Sequence, residues 1–320
     1  FPYTTLFRSG VVARLKYDYA SKYVAEASLR YDGSDNFPRG KRWGTFYAGS
    51  LAWVISEESF WQTLKDRHIF DQFKVRASYG EIGSDAIGRY AYLQSYGLND
   101  RGYLLNGSWY PGFSEGALVS KDITWYTTRD FNIGFDFGFL KDRITGSFDY
   151  YTRQTKDLIA TVPAAAGTTF DRNITTNVGN VDSQGIEFSI NATPVQTKDW
   201  NWDITLNWGM NRTECVELDP TLKRFVLGET RVGKVVVDEG GRFGDIVSKA
   251  YKRNAEGRIL IGDNGMPISE SDKVIGNMTP DWTGSFSTAL RYKNLSFNAL
   301  VDVRAGGSFI STTDMYACTA

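Results

Sequence analysis

The chain has 320 residues, a formal net charge of −1 and a mean hydropathy of −0.34, yet 15% of its residues are aromatic. A near-neutral charge provides no electrostatic footprint for nucleic acid, so we expect no nucleic-acid partner. The longest unbroken apolar run, Leu51–Ile55, is too short for a transmembrane helix. A polar composition with many aromatic rings is typical of a membrane β-barrel, in which lipid-facing and lumen-facing side chains alternate.

The two ends of the chain differ from the rest of it. Residues 1–9 (FPYTTLFRS) look like the in-frame translation of a sequencing-adapter oligonucleotide, and we predict that they are an artefact. No signal peptide precedes residue 10, although an exported barrel requires one. Met315–Ala320 ends in loop-like sequence without the terminal aromatic residue of a closing barrel strand. We therefore expect residues 10–320 to be a fragment of a longer β-barrel.

Alternation of apolar and polar side chains is the dominant pattern. From Ala25 to Tyr31, and again from Trp200 to Met210, every second residue is apolar. A period of two indicates strands with one apolar and one polar face. The pattern recurs at Phe73–Tyr79, Phe131–Phe139, Ile144–Thr152, Ile186–Ala192, Trp282–Tyr292 and Leu295–Val303. We predict an all-β fold, the wall of an antiparallel transmembrane β-barrel with about ten strands in this chain.

Large aromatic rings recur at a fixed separation on the apolar face. Trp43 and Trp53 are ten residues apart, and so are Trp282 and Tyr292. Ten steps of about 3.3 Å span about 33 Å, which projects to about 25 Å for a strand tilted by about 40°. That is the height of the apolar band between the aromatic girdles of outer-membrane barrels. We predict that these four residues mark the two membrane interfaces. A soluble β-sandwich, whose strands are usually shorter, is the weaker alternative.

The connections between the predicted strands alternate in length. Tight turns are predicted at Tyr19–Lys22, Leu140–Arg143, Pro194–Asp199 and Lys293–Asn294. Long connections are predicted at Asp32–Arg42, Glu81–Asp122, Lys156–Gln184 and Thr213–Pro280. Outer-membrane barrels have short periplasmic turns and long extracellular loops, so we expect the long connections outside the cell. Ser56–Asp71 is of moderate length, and we predict that it is periplasmic and contains a short helix with a serine cap.

Several segments resemble the barrel of SusC/RagA-type TonB-linked outer-membrane proteins. The densest match is Ile123–Ile159 (ITWYTTRDFNIGFDFGFLKDRITGSFDYYTRQTKDLI). The other matching segments are Glu26–Phe37, Lys41–Phe60, Phe70–Gly83, Asn177–Trp208, Val274–Phe286 and Leu300–Gly307. Because all of them follow the family's order, the match is specific although each segment alone would be weak.

The resemblance implies a longer parent protein in the bacterial outer membrane. A barrel of this class has about 22 strands, and its plug domain lies upstream and is not in this chain. The family imports large oligomers, usually glycans and sometimes peptides. Import is driven through TonB, and a SusD-like surface lipoprotein caps the barrel. No cofactor is implied. A passive porin is the alternative within membrane barrels.

One long connection, extracellular by the alternation of loop lengths, is rich in aromatic side chains. Arg101–Phe113 (RGYLLNGSWYPGF) carries Tyr103, Trp109, Tyr110 and Phe113. Sugar rings offer apolar C–H faces and hydroxyl groups, which suit stacking aromatics flanked by polar side chains. We take these rings as candidate contacts for cargo or for the lipoprotein lid. The alternative is that they pack the loop on itself or rest at the membrane surface.

The polar face of the predicted strands carries charges of both signs. The side chains expected to face the lumen or the plug include Arg76, Asp136, Asp149, Glu187, Asp203 and Arg291. We expect pairing between strands or with the plug, and direct contact with cargo is the alternative. No carboxylate pair stands out as an acid–base couple, so we do not expect an enzyme.

Metal and thiol chemistry receive little support. His68 is the only histidine and cannot by itself form a zinc site or a catalytic triad. Cys215 and Cys318 lie far apart; we expect two unpaired thiols, with a disulfide between surface loops as the alternative. Many relatives carry an acidic loop that resembles a calcium site. Here only Asp263, Asn264 and Gly265 remain of it, so we expect a plain turn.

Overall fold

The computed structural model describes residues 8–88, 92–116, 118–163, 173–220, 222 and 224–318. Within these ranges the strands are β1 (Arg8–Tyr19), β2 (Tyr23–Ser34), β3 (Trp43–Val54), β4 (Phe70–Ser84), β5 (Tyr96–Leu105), β6 (Ser108–Glu115), β7 (Leu118–Val119), β8 (Tyr126–Phe139), β9 (Ile144–Pro163), β10 (Asn173–Gln196), β11 (Trp200–Leu218), β12 (Arg224–Glu229), β13 (Lys234–Asp238), β14 (Asp245–Tyr251), β15 (Ser269–Asn277), β16 (Trp282–Tyr292) and β17 (Leu295–Ala305). The α-helices described there are α1 (Gln62–Asp66) and α2 (Thr312–Cys318). No helix in this part of the chain is long and apolar enough to span a membrane.

Ten of the described strands form one antiparallel path, in the order β1-β2-β3-β4-β8-β9-β10-β11-β16-β17. Strands joined by tight turns pair directly, with Tyr19 opposite Tyr23 and Tyr292 opposite Leu295. The short β7 adds to β10 in parallel. The predicted all-β, antiparallel wall is confirmed. Its edges in this structure are β1 and β17, so the wall is open.

The register places apolar residues on one face of this wall. Phe188 lies opposite Phe148 on one neighbouring strand and opposite Trp208 on the other. Because side chains alternate between the two faces, residues paired in this way share a face. Many of them are well exposed, for example Leu15 at 72% and Val301 at 54%. A continuous exposed apolar face of this extent is typical of a surface that contacts lipid.

Three strands are longer than the sequence predicts. β9, β10 and β11 contain 20, 24 and 19 residues. They extend past the apolar face through polar pairs such as Thr161–Thr175, whose hydroxyl oxygens are 2.9 Å apart. There polar residues are mixed with buried apolar ones such as Val162 and Val178, so the regular alternation is lost although the strands still pair. The predicted loop at Lys156–Gln184 is therefore wrong in its described part, and residues 164–172 lie outside the described residues.

The other two longest predicted loops also contain strands. Glu81–Asp122 contains the hairpin of β5 and β6, and Thr213–Pro280 contains a separate sheet in the order β12-β13-β14-β15. The prediction of plain loops is wrong for both. These strands are short, and the centre of β13 is the run Val235–Val237, in which Val236 is fully buried. A period of two is therefore absent from it.

The connection between β3 and β4, which the sequence predicts to be periplasmic, is a broken helical segment. Ile55–Glu57 and Ser59–Trp61 are 3₁₀ turns, and α1 follows. Trp61 precedes α1 without a side-chain cap hydrogen bond, and Ser56 is buried in the first turn. The predicted serine cap is therefore wrong. Glu58 has extended backbone (φ −77°, ψ 149°), which interrupts the helix.

The structure describes only the last two residues of the predicted adapter sequence. Residues 1–7 lie outside the described residues, while Arg8 and Ser9 are the first residues of β1 and lie opposite Ser34 and Gly33. The assignment of residues 1–9 as an artefact stays a prediction.

Candidate functional site

A charge network lies on the polar face where β4, β8 and β9 adjoin. The Arg76 guanidinium is 2.7 Å from the Asp149 carboxylate and 3.2 Å from that of Asp136. It also donates a hydrogen bond to Asn132 Oδ1 at 3.4 Å. The Lys74 ammonium group lies 3.6 Å from Asp136. Two cations and two anions thus compensate each other across three strands, which confirms the predicted pairing between strands for Arg76, Asp136 and Asp149.

Gly134 allows the guanidinium to cross the strand between its partners. A Cβ atom at this position would lie 2.6 Å from the Phe148 carbonyl oxygen and 2.7 Å from Asp149 Oδ1. It would also lie 3.2 Å from Arg76 Cζ. Arg76 on β4 therefore passes over a residue of β8 without a side chain and reaches Asp149 on β9.

The other predicted luminal residues share this face but not this network. Glu187 lies opposite Asp149 in the β9–β10 pair. Asp203 accepts a hydrogen bond from the Thr193 hydroxyl at 2.8 Å. Arg291 occupies the same face of β16. The sequence pattern thus predicted the face of each residue, while the structure distributes them over a wide polar wall.

A recess of about 890 Å³ opens on this polar face across β2, β3, β4, β8 and β9. Its polar lining includes Glu26, Ser28, Ser50, Ser78, Thr128, Asp130, Arg153 and Thr155. Arg153 lies 2.8 Å from Asp130, and Glu26 lies 2.7 Å from Arg14. Because its charges are paired and the rest of its polar lining is hydroxyl groups, the recess suits a polar ligand without a strong charge.

Sequence reasoning missed a buried cluster of three aromatic rings and an isoleucine, which lies at the end of the wall away from the tight turns. Its members Phe37, Phe46, Ile123 and Trp125 are at most 6% exposed. The Trp125 ring centroid is 5.0 Å from that of Phe37 and 5.5 Å from that of Phe46. The Trp125 indole also donates to the Arg42 carbonyl at 3.2 Å. The available signal was Phe46 itself, a large ring at a luminal position of β3 where polar or small residues are the rule.

Asn177 forms three side-chain hydrogen bonds near this cluster. Its Oδ1 atom accepts a hydrogen bond from the Thr124 backbone N–H at 3.0 Å. Its Nδ2 atom donates to the carbonyl oxygens of Thr124 at 3.1 Å and Asp157 at 2.6 Å. The segment before β8 is thereby fixed to the extended ends of β9 and β10.

The predicted cargo residues lie on the β5–β6 hairpin, which is separate from the wall. Tyr103 is opposite Tyr110, and their rings stack with centroids 5.6 Å apart and planes 18° from parallel. Trp109 is opposite Leu104 and points to the other face, because neighbours in a strand alternate. Phe113 lies further along β6. All four rings are exposed, and their contact with cargo stays a prediction.

The β12–β15 sheet is joined to the end of β11 near Cys215, away from the tight turns. The Cys215 N–H donates to the Gly241 carbonyl at 3.0 Å, and the Cys215 carbonyl accepts from Gly240 N at 2.8 Å. Cys215, Leu218 and Val237 form a buried cluster beneath these bonds. The sheet therefore continues the wall as one packed unit above the apolar face.

Polar contacts fix the outer strands of this sheet. Arg224 donates to both oxygens of Asp238 at 2.6 and 2.8 Å and lies 3.2 Å from Asp272. The hydrogen bonds with Asp238 are the main reason why the pKa of Arg224 is raised above its ordinary value. Buried Asn277 donates to Asp245 Oδ1 at 2.9 Å. These contacts join β12 to β13 and β15, and they join β15 to β14.

The remaining polar candidates have local structural contacts. Asn264 Oδ1 accepts a hydrogen bond from the Met266 N–H at 3.0 Å, within a turn that places Gly265 at φ 75°. The exposed His68 Nδ1 lies 2.8 Å from Asp71 Oδ1. Among the described residues, no group of three or more His, Cys, Asp or Glu side chains is placed to hold a metal ion. Cys215 is a buried free thiol, and the Cys318 side chain lies outside the described part.

The four predicted girdle residues lie at opposite ends of the apolar face. Trp53 and Tyr292 lie beside the tight turns, where each packs on another ring at centroid distances of 6.3 and 4.3 Å. Trp43 and Trp282 lie at the other end, where Trp43 stacks on Tyr31 at 4.8 Å. All four are between 37% and 47% exposed. Their contact with the membrane interface stays a prediction.

The family model described as "TonB dependent receptor-like, beta-barrel" matches residues 1–317. The chain belongs to this TonB-dependent receptor family. The open wall is thus part of an outer-membrane β-barrel, and its apolar face is the lipid-facing belt. The tight turns lie on the periplasmic side and the extended strands on the extracellular side.

Two curated relatives and one solved structure define the type of receptor. TonB-dependent receptor SusC of Bacteroides thetaiotaomicron is 39% identical over 311 residues, which are 89% of this chain and 30% of that protein. TonB-dependent receptor P39 of Formosa agariphila is 37% identical over 359 residues, with 97% of this chain and 34% of that protein covered. The RagAB peptide importer in its closed-closed state has a TM-score of 0.78 at 22% identity, covering 94% of this chain and 33% of that chain. The predicted SusC/RagA-type family is confirmed, and the chain spans about a third of the length of these relatives.

Proposed function

We propose that this receptor barrel is part of an active importer of large nutrients, oligosaccharides or other oligomers, across the outer membrane. The observation that carries this proposal is the 39% identity to SusC along 89% of the chain. The polar luminal wall and its recess of about 890 Å³ support it, because they offer a wide hydrogen-bonding surface to a passing oligomer. Energy is supplied through TonB by regions outside this chain, and a SusD-like surface lipoprotein caps the barrel.

Uptake by the native host tests active import. Deletion of the complete receptor gene is expected to abolish uptake of the cognate oligomer, and loss of TonB function is expected to do the same. Re-expression of the receptor is the control. A passive porin is the alternative function: uptake through the receptor that persists without TonB function would contradict active transport and favour the porin.

The class of cargo can be separated by a matched panel. RagAB is described as a peptide importer, and its barrel shares this fold. Fluorescent neutral oligosaccharides and uncharged peptides of similar mass should be compared for uptake through the same receptor. We expect oligosaccharide uptake to dominate, because the hydroxyl-rich recess has its charges paired. Uptake of peptides alone would assign the receptor to the peptide class and leave active import intact.

The β5–β6 hairpin is our candidate for contact with cargo or with the lipoprotein lid. An isolated two-stranded hairpin is only marginally stable in water, so its exposed rings favour a covering partner. Serine at Tyr103, Trp109, Tyr110 and Phe113 together is expected to reduce uptake several-fold, since each ring contact contributes about 0.5–1.5 kcal/mol. Tyr251→Ser, which removes an exposed ring from β14, is the control. Unchanged uptake in the quadruple variant would remove the hairpin from the transport path.

A further inference from the structure

A series of aromatic contacts leads from the lipid-facing belt to the periplasmic connection between β3 and β4. Phe148, Phe135 and Phe73 lie on the belt in neighbouring strands, with successive ring centroids 5.3 and 6.0 Å apart. Trp61 stacks on Phe73 at 5.5 Å with the planes 12° from parallel. Phe60 then meets the Trp61 ring edge-on at 6.3 Å. The connection therefore folds against the outer, lipid-facing side of the wall.

Glu58 fixes the same connection to the periplasmic end of the belt. Its Oε1 atom accepts hydrogen bonds from the Tyr23 hydroxyl at 2.6 Å and the Trp53 indole at 3.2 Å. Its Oε2 atom accepts one from the Lys22 ammonium group at 3.0 Å. These hydrogen bonds lower the pKa of Glu58 below its ordinary value, and the bond from Tyr23 has the largest effect. Because Tyr23 and Trp53 lie on the apolar face, the carboxylate also lies outside the wall.

Beside these two attachments an apolar surface is left exposed. The Phe60 side chain is 66% exposed, and Leu64, four residues further along, is 37% exposed. Phe60 is connected to the belt through Trp61 and Phe73, so its exposed ring extends a continuous apolar surface, and a surface of that kind indicates an apolar partner. The surface that continues from this ring is the belt, whose partner is membrane lipid.

We propose that residues 58–64 form an interfacial foot, which inserts Phe60 among the phospholipids of the periplasmic leaflet. Lys22 and Lys65 are each paired with a carboxylate of the same connection, Glu58 at 3.0 Å and Glu57 at 2.6 Å. The carboxylates at the foot are therefore neutralised by lysines, next to the exposed Phe60 ring. The foot binds the acyl and glycerol region of the lipid, and the sign of the headgroup charge has little effect. This inference rests on the outer-membrane location of the barrel and is independent of what the receptor imports.

A spin label at position 60 tests the foot in the full-length receptor reconstituted in phospholipid nanodiscs. In a background with the native cysteines replaced by serine, the Phe60→Cys variant is labelled, and its accessibility to oxygen and to a water-soluble nickel chelate is measured. Asp66→Cys, at the exposed end of α1, is the matched control. We expect oxygen accessibility to exceed nickel accessibility several-fold at position 60, and the reverse at position 66.

Two further measurements make the outcome decisive. Heat-modifiable gel migration verifies that each labelled receptor is a folded barrel. Nanodiscs of phosphatidylcholine and of phosphatidylglycerol should give the same accessibility ratio at position 60. Nickel accessibility at position 60 equal to that at position 66, in folded receptor, would place Phe60 in water and overturn the proposal. Burial at position 60 in phosphatidylglycerol alone would also overturn it, because the interaction would then depend on headgroup charge.

Discussion

At the scale of single residues, Gly134 matters because Arg76 must pass over it. The alternating pattern predicts that Arg76, Asp136 and Asp149 share the luminal face, because successive side chains of a strand point to opposite faces. It does not predict that Arg76 bridges from β4 to β9. That contact depends on the register of three strands and on the missing side chain of Gly134, which are tertiary properties.

A methyl group at Gly134 should disturb the network. Gly134→Ala is expected to destabilise the barrel by about 1–3 kcal/mol, because the new Cβ collides with a backbone carbonyl and with the Asp149 carboxylate. Gly209→Ala is the matched control on the luminal face of β11, where the nearest atoms to a new Cβ are 3.5 and 3.6 Å away. It should be neutral or stabilising by up to about 1 kcal/mol. Denaturant unfolding of the full-length receptor in detergent would measure both, and equal effects would contradict the role of Gly134.

The two faces of the wall should tolerate arginine differently. Phe188→Arg or Leu206→Arg, on the belt near mid-strand, is expected to cost about 2–4 kcal/mol. Ser189→Arg or Asn207→Arg should cost far less, because these side chains lie on the luminal face, where they hydrogen-bond to each other at 2.8 Å. Unfolding free energies in lipid or detergent provide the measurement. Equal costs on both faces would invalidate the facing assignment.

At the scale of elements, the sequence predicts strands well only where they cross the membrane. Lipid requires an apolar row and the lumen accepts a polar one, so β16 shows the alternation along its length except at Thr288 and Ala289. Outside the belt no lipid requires one apolar row, so the extensions of β9, β10 and β11 mix polar residues with buried apolar ones such as Val178 and carry no such signal. The same reason explains why β12–β15 and the β5–β6 hairpin were predicted as loops.

The periplasmic connection shows another limit of local sequence signals. A serine before an acidic residue favours a helix cap, but Ser56 is buried and the chain is extended at Glu58. The contacts of Glu58 with Tyr23, and of Trp61 with Phe73, are between residues distant in sequence. They determine where the helix starts, and no local pattern encodes them.

The lowered pKa of Glu58 predicts a pH-dependent contribution to stability. A carboxylate whose pKa is lower in the folded state stabilises the fold fully above its unfolded pKa, and this contribution is lost as the pH falls through the folded value. Glu58→Gln should therefore lower the unfolding temperature at neutral pH. The difference from wild type should shrink below pH 4.5, the ordinary value for the group. Thermal unfolding followed by circular dichroism at several pH values would measure it.

Glu57→Gln is the control for this pH series, because Glu57 forms an ion pair with Lys65. Its variant should show a smaller difference at neutral pH, as expected for an exposed ion pair. A Glu58→Gln effect that stayed constant from neutral to acidic pH would show that the carboxylate charge is not responsible.

At the scale of the whole molecule, the wall has two edges, β1 and β17. Their unpaired backbone groups cannot be satisfied by lipid, and barrels avoid this by closure. The prediction of about ten strands agrees with this open wall, because a receptor barrel of this class has about 22. It could not predict the recess, because that concavity arises from five strands together.

Isolated residues 10–320 should not form a stable membrane protein. We expect aggregation or misassembly on expression, because each open edge offers a template for pairing with another copy. Size-exclusion chromatography in detergent, with heat-modifiable migration as a test of folding, would distinguish the outcomes. The full-length receptor is the control. A monodisperse, heat-modifiable product from the isolated chain would show that these edges can be satisfied without the missing strands.

The length of β10 has a consequence for where the lumen opens. The part of this strand before Ile186 spans about 40 Å at about 3.3 Å per residue, or about 30 Å of height at a tilt of about 40°. The rim formed by β9 and β10 therefore extends about 30 Å beyond the lipid-facing belt on the extracellular side. On this side of the barrel, a molecule arriving from outside the cell meets the wall well before it reaches the level of the membrane.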